Sequence, residues 1–305
     1  MADFSIQDAA FTGFRVVREH PRALPVWAVL SIVFTVSVQA IMIAMAGPAM
    51  TQMMAMAAVM AAHPEKFDPA AFSTLLPRLA PAYGVILPLS LACNAVLYAA
   101  MNRIVLRPAD DAAGYLRLGV AELRQLGLQV LLGLLFFGLY VLAVFVCAGL
   151  IAMARGVGAL LAVLTAAVSV CGLVFLGVRL SLASPATFQT ARIDLAASWS
   201  LTKGRFWPIL GTYLLAFVLV IVVVVLAGIV TGVVAILVSQ GAGASAPAAG
   251  EVFTLAALST PAQWVPMVLN AAVGALMWPV FLTPPAAIYQ QLIARYGAGA
   301  AEAFS

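Results

Sequence analysis

The chain has 305 residues, of which 65% are hydrophobic and only 9% are charged. Soluble domains carry about 25% charged residues, so this composition excludes an ordinary water-exposed surface. The formal net charge of +4 comes from Lys and Arg residues that flank apolar runs. That placement favours membrane topology and anionic lipid head groups over nucleic acid as the reason for the charge.

Apolar runs of about 20 residues or more, the length that crosses a bilayer core as a helix, predict an all-α polytopic membrane protein with six spans. We expect one membrane domain over residues 1–305 without a separate soluble domain. The first run is too long for the apolar region of a signal peptide, which predicts an uncleaved first span. The predicted spans are 24–46, 79–102, 126–153, 157–183, 206–238 and 264–289.

The positive charges near the span ends predict the orientation. Twelve Lys and Arg residues fall on the side that holds both termini, and three (Lys66, Arg78 and Arg155) fall on the other. Cytoplasmic loops are enriched in Lys and Arg, so both termini are expected in the cytoplasm. Only a few residues around Arg155 join spans three and four, which predicts an antiparallel helical hairpin.

Similar segments precede each odd-numbered span, beginning at Asp8, Asp111 and Asp194 and continuing with aromatic and basic residues. In the first segment, Ile6, Ala10, Phe14 and Val17 share one helical face, as in helices that lie in the membrane interface. One interpretation is a parallel repeat of three helical hairpins, each entered through a cytoplasmic interfacial amphipathic helix. The alternative is that any cytoplasmic loop collects such residues.

Residues that could carry chemistry inside the spans are few. None of the eleven acidic residues lies within a predicted span core, which disfavours a carboxylate proton relay. No hydrolase elbow, phosphate-binding loop or metalloprotease motif is present in the sequence. We therefore expect a protein that is not an enzyme and has no cofactor.

Arg179 is the one charge well inside an apolar run, about a turn from the cytoplasmic end of span four. It can be interpreted as a side chain that reaches to the interface. It can also be interpreted as a contact for a lipid phosphate, assisted by Arg192, Lys203 and Arg205.

Three amides, Gln39, Asn94 and Asn270, are the other intramembrane polar groups. They are compatible with hydrogen bonds between helices or with a polar patch for a ligand. A continuous cavity lined by all three would favour a transporter or channel.

Sulfur-containing residues suggest packing more than metal binding. Met50, Met53 and Met56 recur at helical spacing before His63, and thioethers can bind Cu(I), but a Met-rich helix is also an ordinary apolar surface. The three cysteines lie in apolar runs at spacings that suit no metal site. They are Cys93, Cys147 and Cys171.

Gly228 and Gly232 form a GxxxG pattern in span five, a helix-contact signal that would serve internal packing or a homo-oligomer equally.

Three stretches together resemble a known group of proteins. They are the Arg-Glu-His-Pro-Arg sequence at 18–22, the Arg-Leu-Ser-Leu-Ala-Ser-Pro sequence at 179–185 with Ala-Ser-Trp-Ser-Leu-Thr-Lys-Gly at 197–204, and the Pro-Pro-Ala-Ala-Ile-Tyr-Gln-Gln sequence at 284–291. The group comprises six-span bacterial inner-membrane proteins that include the membrane domain of glycerophosphodiester phosphodiesterases and the uncharacterised YciC-like proteins. The resemblance implies a bacterial inner (cytoplasmic) membrane location and three hairpins. It transfers no catalytic residue, because the phosphodiesterase activity belongs to a soluble domain.

The sequence therefore leads to two functional hypotheses. The first is a non-enzymatic integral membrane protein that interacts with membrane lipids, with a membrane-protein partner or with a second copy of itself. The second is a transporter or channel for a small or amphipathic solute.

Overall fold

The structure is a computed structural model that describes residues 4–63, 68–241 and 261–303. Within those ranges it contains α-helices, one 3₁₀ helix and no strand. The α-helices are α1 (Ile6–Glu19), α2 (Ala23–Ala62), α3 (Pro69–Leu106), α4 (Val120–Leu180), α5 (Ala183–Thr190), α6 (Leu195–Thr202), α7 (Phe206–Gly241), α8 (Pro261–Leu282) and α9 (Pro284–Ala303).

Among the described residues, six helical stretches are long and apolar enough to cross a membrane. The predicted all-α, six-span fold class is therefore confirmed, and the chain is a multi-pass membrane protein. The stretches are Ala23–Ala62, Ala70–Leu106, Ala112–Met153, Gly156–Thr190, Phe206–Val238 and Met267–Arg295.

The first two spanning helices are longer than the sequence predicts. α2 continues to Ala62 and α3 already begins at Pro69, whereas the predicted spans end at 46 and begin at 79. Ala and Met are strong helix formers, so the Ala/Met stretch after residue 46 stays helical beyond the apolar run. A 40-residue helix is about 60 Å long, twice the roughly 30 Å of a bilayer core.

Spans three and four form the predicted hairpin, although helical backbone is continuous from Val120 to Leu180. Cys147 Sγ lies 3.5 Å from the carbonyl oxygen of Ala162, which a straight helix would separate by about 22 Å along its axis. The chain must therefore reverse between these residues. We call residues 120–153 the first arm of α4 and residues 156–180 the second arm.

The chain divides into two compact units. Unit 1 comprises 1–19, 94–218 and 279–305, and its core joins residues from α1, α4, α5, α7 and α9, including Ala9, Leu182, Ile209 and Ile288. Unit 2 comprises 20–93 and 219–278, and in it Met42, Ala46 and Ala49 of α2 pack against Leu79 and Ala82 of α3.

α1 is an amphipathic helix, and of the predicted apolar face only Ala10 is fully buried. Ala9, Gly13 and Val16 are buried, whereas Ile6, Phe14 and Val17 are only partly covered. The reason is a close crossing in unit 1, where a Cβ on Gly13 would lie 2.6 Å from Val280 N and 2.7 Å from Pro279 O. Small residues therefore face the protein, which leaves the bulky face partly exposed.

The segments before spans three and five differ from each other. Before span five, α6 is a helix of 8 residues, whereas before span three there is only the 3₁₀ helix Ala112–Tyr115. Ala113, Gly114 and Tyr115 have positive φ there, so this segment is a tight turn. The prediction of an interfacial amphipathic helix before span three is wrong, because the left-handed backbone ends helix formation.

Candidate functional site

The predicted lipid-contact residues are organised around α6. Asp194 begins this helix, since its Oδ1 accepts a hydrogen bond of 2.9 Å from the backbone N–H of Ala197, as an N-cap residue does. The helix is followed by Gly204, whose φ of 76° suits the turn into α7.

α6 is docked onto the end of the second arm of α4 through the backbone of Arg179. The hydroxyl of Ser198 donates a 2.8 Å hydrogen bond to the carbonyl oxygen of Arg179. Ser198 and Thr202 are both buried. This contact fixes Trp199, which lies between them in sequence, beside the Arg179 side chain.

The Arg179 guanidinium lies against two aromatic rings, which also contact each other. Its Cζ lies 5.3 Å from the ring centroid of Phe175 and 5.0 Å from that of Trp199, within cation–π range. Nη1 lies 3.4 Å from Trp199 O and 3.4 Å from Thr202 Oγ1, two long hydrogen bonds. We call Arg179 with Phe175, Trp199 and Thr202 the Arg179 site.

The charge of Arg179 is uncompensated in the part of the chain that the structure describes. No carboxylate there forms an ion pair with it, and its Nε is buried without a hydrogen-bond partner. A buried donor without a partner costs about 1–3 kcal/mol, and more when it is charged. The arrangement is therefore suited to receiving an anion.

The other predicted cations divide into two groups. Lys203 is exposed and Arg205 is half-buried. Both follow Thr202, the last residue of α6, whose hydroxyl is hydrogen-bonded to Arg179. Arg205 Nη1 donates to the carbonyl oxygen of Leu201 at 3.2 Å. Arg192 lies at the beginning of α6 and pairs with Asp194, with Nη2 3.1 Å from Oδ2. The structure thus brings three of the four cations to one end of α6 and gives Arg192 a partner at the other.

An apolar cleft of about 430 Å³ adjoins the Arg179 site. It opens between the two arms of α4, and two of its walls are the rings that flank the guanidinium. The lining residues are Leu139, Leu142, Ala143, Val146, Thr165, Ser169, Gly172, Leu173, Phe175, Leu176 and Trp199. The cleft has no signature in the sequence, because it depends on which faces of two apolar helices meet.

A second polar cluster, which the sequence analysis does not predict, is a buried ion pair between the end of α3 and the start of α4. Arg103 Nη2 lies 2.5 Å from Glu122 Oε1, and the side chains are 6% and 7% exposed. Nη1 of Arg103 donates to the carbonyl oxygen of Tyr115, and its guanidinium lies 5.6 Å from the ring centroid of Phe188 in α5.

Neighbouring amides extend this cluster to α5. Asn102 Nδ2 donates to Ser184 Oγ at 2.8 Å, and Ser184 Oγ donates to Gln125 Oε1 at 3.0 Å. Gln125 Nε2 donates to the carbonyl oxygen of Ser184 at 2.9 Å. Every partner is a protein group, so the cluster joins α3, α4 and α5.

The three predicted intramembrane amides do not line the cleft. Asn94 and Asn270 are exposed on α3 and α8, and Gln39 is partly buried on α2. Both Gln39 and Asn94 have interaction partners within the protein.

The residues considered as copper ligands in the less favoured alternative are spread along α2. Met50 and Met53 pack with the core of unit 2, and His63 follows the last turn of the helix. Thirteen helical residues separate Met50 from His63 by about 20 Å. The helix therefore does not bring Met50, Met53, Met56 and His63 into one coordination sphere.

The GxxxG glycines of α7 face outward. Gly228 and Gly232 are exposed, and no atom lies within 4 Å of a Cβ built on either. Among the described residues the pair therefore makes no internal helix contact.

Comparisons with protein-family models, with curated proteins and with solved structures find no match to this chain.

Proposed function

We propose that this chain is a non-enzymatic integral membrane protein that binds anionic membrane lipid at the Arg179 site. The main support for this proposal is the environment of Arg179 at the end of span four. Its guanidinium contacts two aromatic rings, its Nε is buried without a hydrogen-bond partner, and it has no acidic partner among the described residues. Guanidinium groups bind phosphate oxygens through several N–H donors at once.

The position of the site supports a lipid ligand over a soluble one. Trp199 and Trp207 are both exposed, and Trp is enriched at the level of the lipid head groups. Lys203, exposed at the same end of α6, adds attraction to an anionic surface. A lipid phosphate would thus meet Arg179 at the depth where phosphates lie.

The location forms part of the same proposal. The excess of twelve basic residues over three supports a cytoplasmic position for the termini and for the Arg179 site by the positive-inside rule. The resemblance to six-span bacterial inner-membrane proteins supports the inner membrane as the location, and it assigns no activity to this chain.

The test is retention of anionic lipid by the purified full-length protein. The wild type and the Arg179→Gln variant are reconstituted with phosphatidylglycerol and phosphatidylcholine, extracted in mild detergent and examined by native mass spectrometry. We expect Arg179→Gln to lose about tenfold in phosphatidylglycerol affinity. Arg192→Gln is the matched control, since Arg192 already pairs with Asp194. Equal loss in both variants, or none in either, would reject the proposal.

A further inference from the structure

The Arg179 site and the apolar cleft share two walls. Phe175 and Trp199 contact the guanidinium and also line the cleft. Their ring centroids are 6.3 Å apart with an interplanar angle of 85°. A molecule that placed an anion at Arg179 would therefore have an apolar space directly beside its charged end.

The cleft has the length of one leaflet's hydrocarbon layer. On the second arm of α4 its lining extends from Thr165 to Leu176, which is about 16 Å of helix. Half of a bilayer core of about 30 Å is about 15 Å. Arg179 follows Leu176 by one turn, so a cleft that begins beside a phosphate bound to Arg179 would extend to about the bilayer centre.

The lining is suited to a hydrocarbon chain. Most of its side chains are aliphatic or aromatic, and the hydroxyl of Ser169 is occupied by a 2.8 Å hydrogen bond to the carbonyl oxygen of Thr165. Ala143 and Gly172 supply little side-chain volume, and a Cβ built on Gly172 would meet no atom within 4 Å. The volume of about 430 Å³ falls within the range of about 300–1,000 Å³ typical of ligand pockets.

We propose that the cleft between the arms of α4 binds one acyl chain of an anionic phospholipid whose phosphate is held by Arg179. The proposal rests on the proposed function and adds that recognition includes the lipid tail. Charge complementarity selects an anionic head group, and the apolar walls select a chain long enough to reach the bilayer centre.

The experiment separates the head group from the tail. Full-length wild type, Arg179→Gln and Gly172→Leu are titrated in detergent with dioleoyl-phosphatidylglycerol, dihexanoyl-phosphatidylglycerol and inorganic phosphate, and binding is followed by native mass spectrometry and Trp fluorescence. Gly172→Leu fills the cleft and leaves Arg179 in place. Gly133→Leu is its control, because Gly133 also has open space around it but does not line the cleft. Thermal unfolding in the same detergent shows that each variant is folded.

We expect the wild type to bind the long-chain lipid at least tenfold more tightly than the short-chain lipid or phosphate. Gly172→Leu should lose about tenfold for the long-chain lipid only, whereas Arg179→Gln should lose affinity for both lipids. If Gly172→Leu and Gly133→Leu bind the long-chain lipid as the wild type does while Arg179→Gln does not, the tail site is rejected and head-group binding stands. If Arg179→Gln has no effect on any ligand, the proposed function itself is rejected.

Discussion

Arg103 and Glu122 form a buried ion pair that joins the end of α3 to the start of α4, with Nη2 and Oε1 2.5 Å apart. The turn between the two helices is closed by the same arginine, which donates to the carbonyl oxygen of Tyr115. Burying two charges is costly unless both are paired, so the pair specifies one arrangement of this turn.

Replacing either partner with Leu should lower the free energy of unfolding by about 3–5 kcal/mol, because the remaining charge would be buried alone. The Arg103→Leu/Glu122→Leu double variant should lose much less than the sum of the two single losses. Unfolding in mixed micelles with increasing sodium dodecyl sulfate, followed by Trp fluorescence, measures these differences. Strictly additive losses would show that the two side chains do not interact.

Gly13→Ala should destabilise the crossing of α1 over Val280 by about 3 kcal/mol, since the new methyl would overlap backbone atoms that cannot rotate away. Gly211→Ala is the matched control, because a Cβ there lies 3.9 Å from Ile6 Cδ1, an ordinary contact. Thermal unfolding in detergent and proteolysis of the N-terminal segment report on α1. Similar behaviour of the two variants would contradict the close crossing.

Asp194→Ala should remove the cap of α6, at a cost of about 1 kcal/mol, and displace Trp199 from Arg179. We therefore expect weaker retention of phosphatidylglycerol although no residue of the Arg179 site is changed. Asp194→Asn should bind lipid nearly as the wild type does, because Asn also caps helices and the exposed ion pair with Arg192 contributes little. Equal loss of binding in the Ala and Asn variants would point to the charge instead of the cap.

The orientation can be tested with single cysteines in a background carrying Cys93→Ala, Cys147→Ala and Cys171→Ala. The variant Arg117→Cys should react with a membrane-impermeant maleimide only after the inner membrane is opened. Ala61→Cys, at the exposed end of α2, should react in intact spheroplasts. The reverse pattern would place the termini outside.

The sequence predicts the features that depend on local composition. Run length defines the six spans, and the short link around Arg155 defines the hairpin of α4. The helical extension of α2 to Ala62 is harder to predict from the sequence. Hydropathy indicates which residues cross the bilayer core, whereas helix propensity determines where the helix ends.

The sequence predicts the cations of the candidate site but not the contacts that surround them. Arg179 is conspicuous as a charge in an apolar run, and Lys203 and Arg205 lie nearby in sequence. The pairing of Arg192 with Asp194 depends on how the loop before α6 folds. The roles of Phe175 and Glu122 depend on packing between helices, and the positive φ values of the turn at Ala113–Tyr115 have no clear signature in the sequence.

Lipid binding at the Arg179 site is tested most directly by an experimental structure of the wild-type protein in nanodiscs that contain phosphatidylglycerol. We expect a phosphate within about 4 Å of the Arg179 guanidinium and a continuous acyl chain in the cleft between the arms of α4. An empty cleft with Arg179 turned away from all lipid, or with its charge neutralised by a carboxylate of the protein, would contradict this expectation.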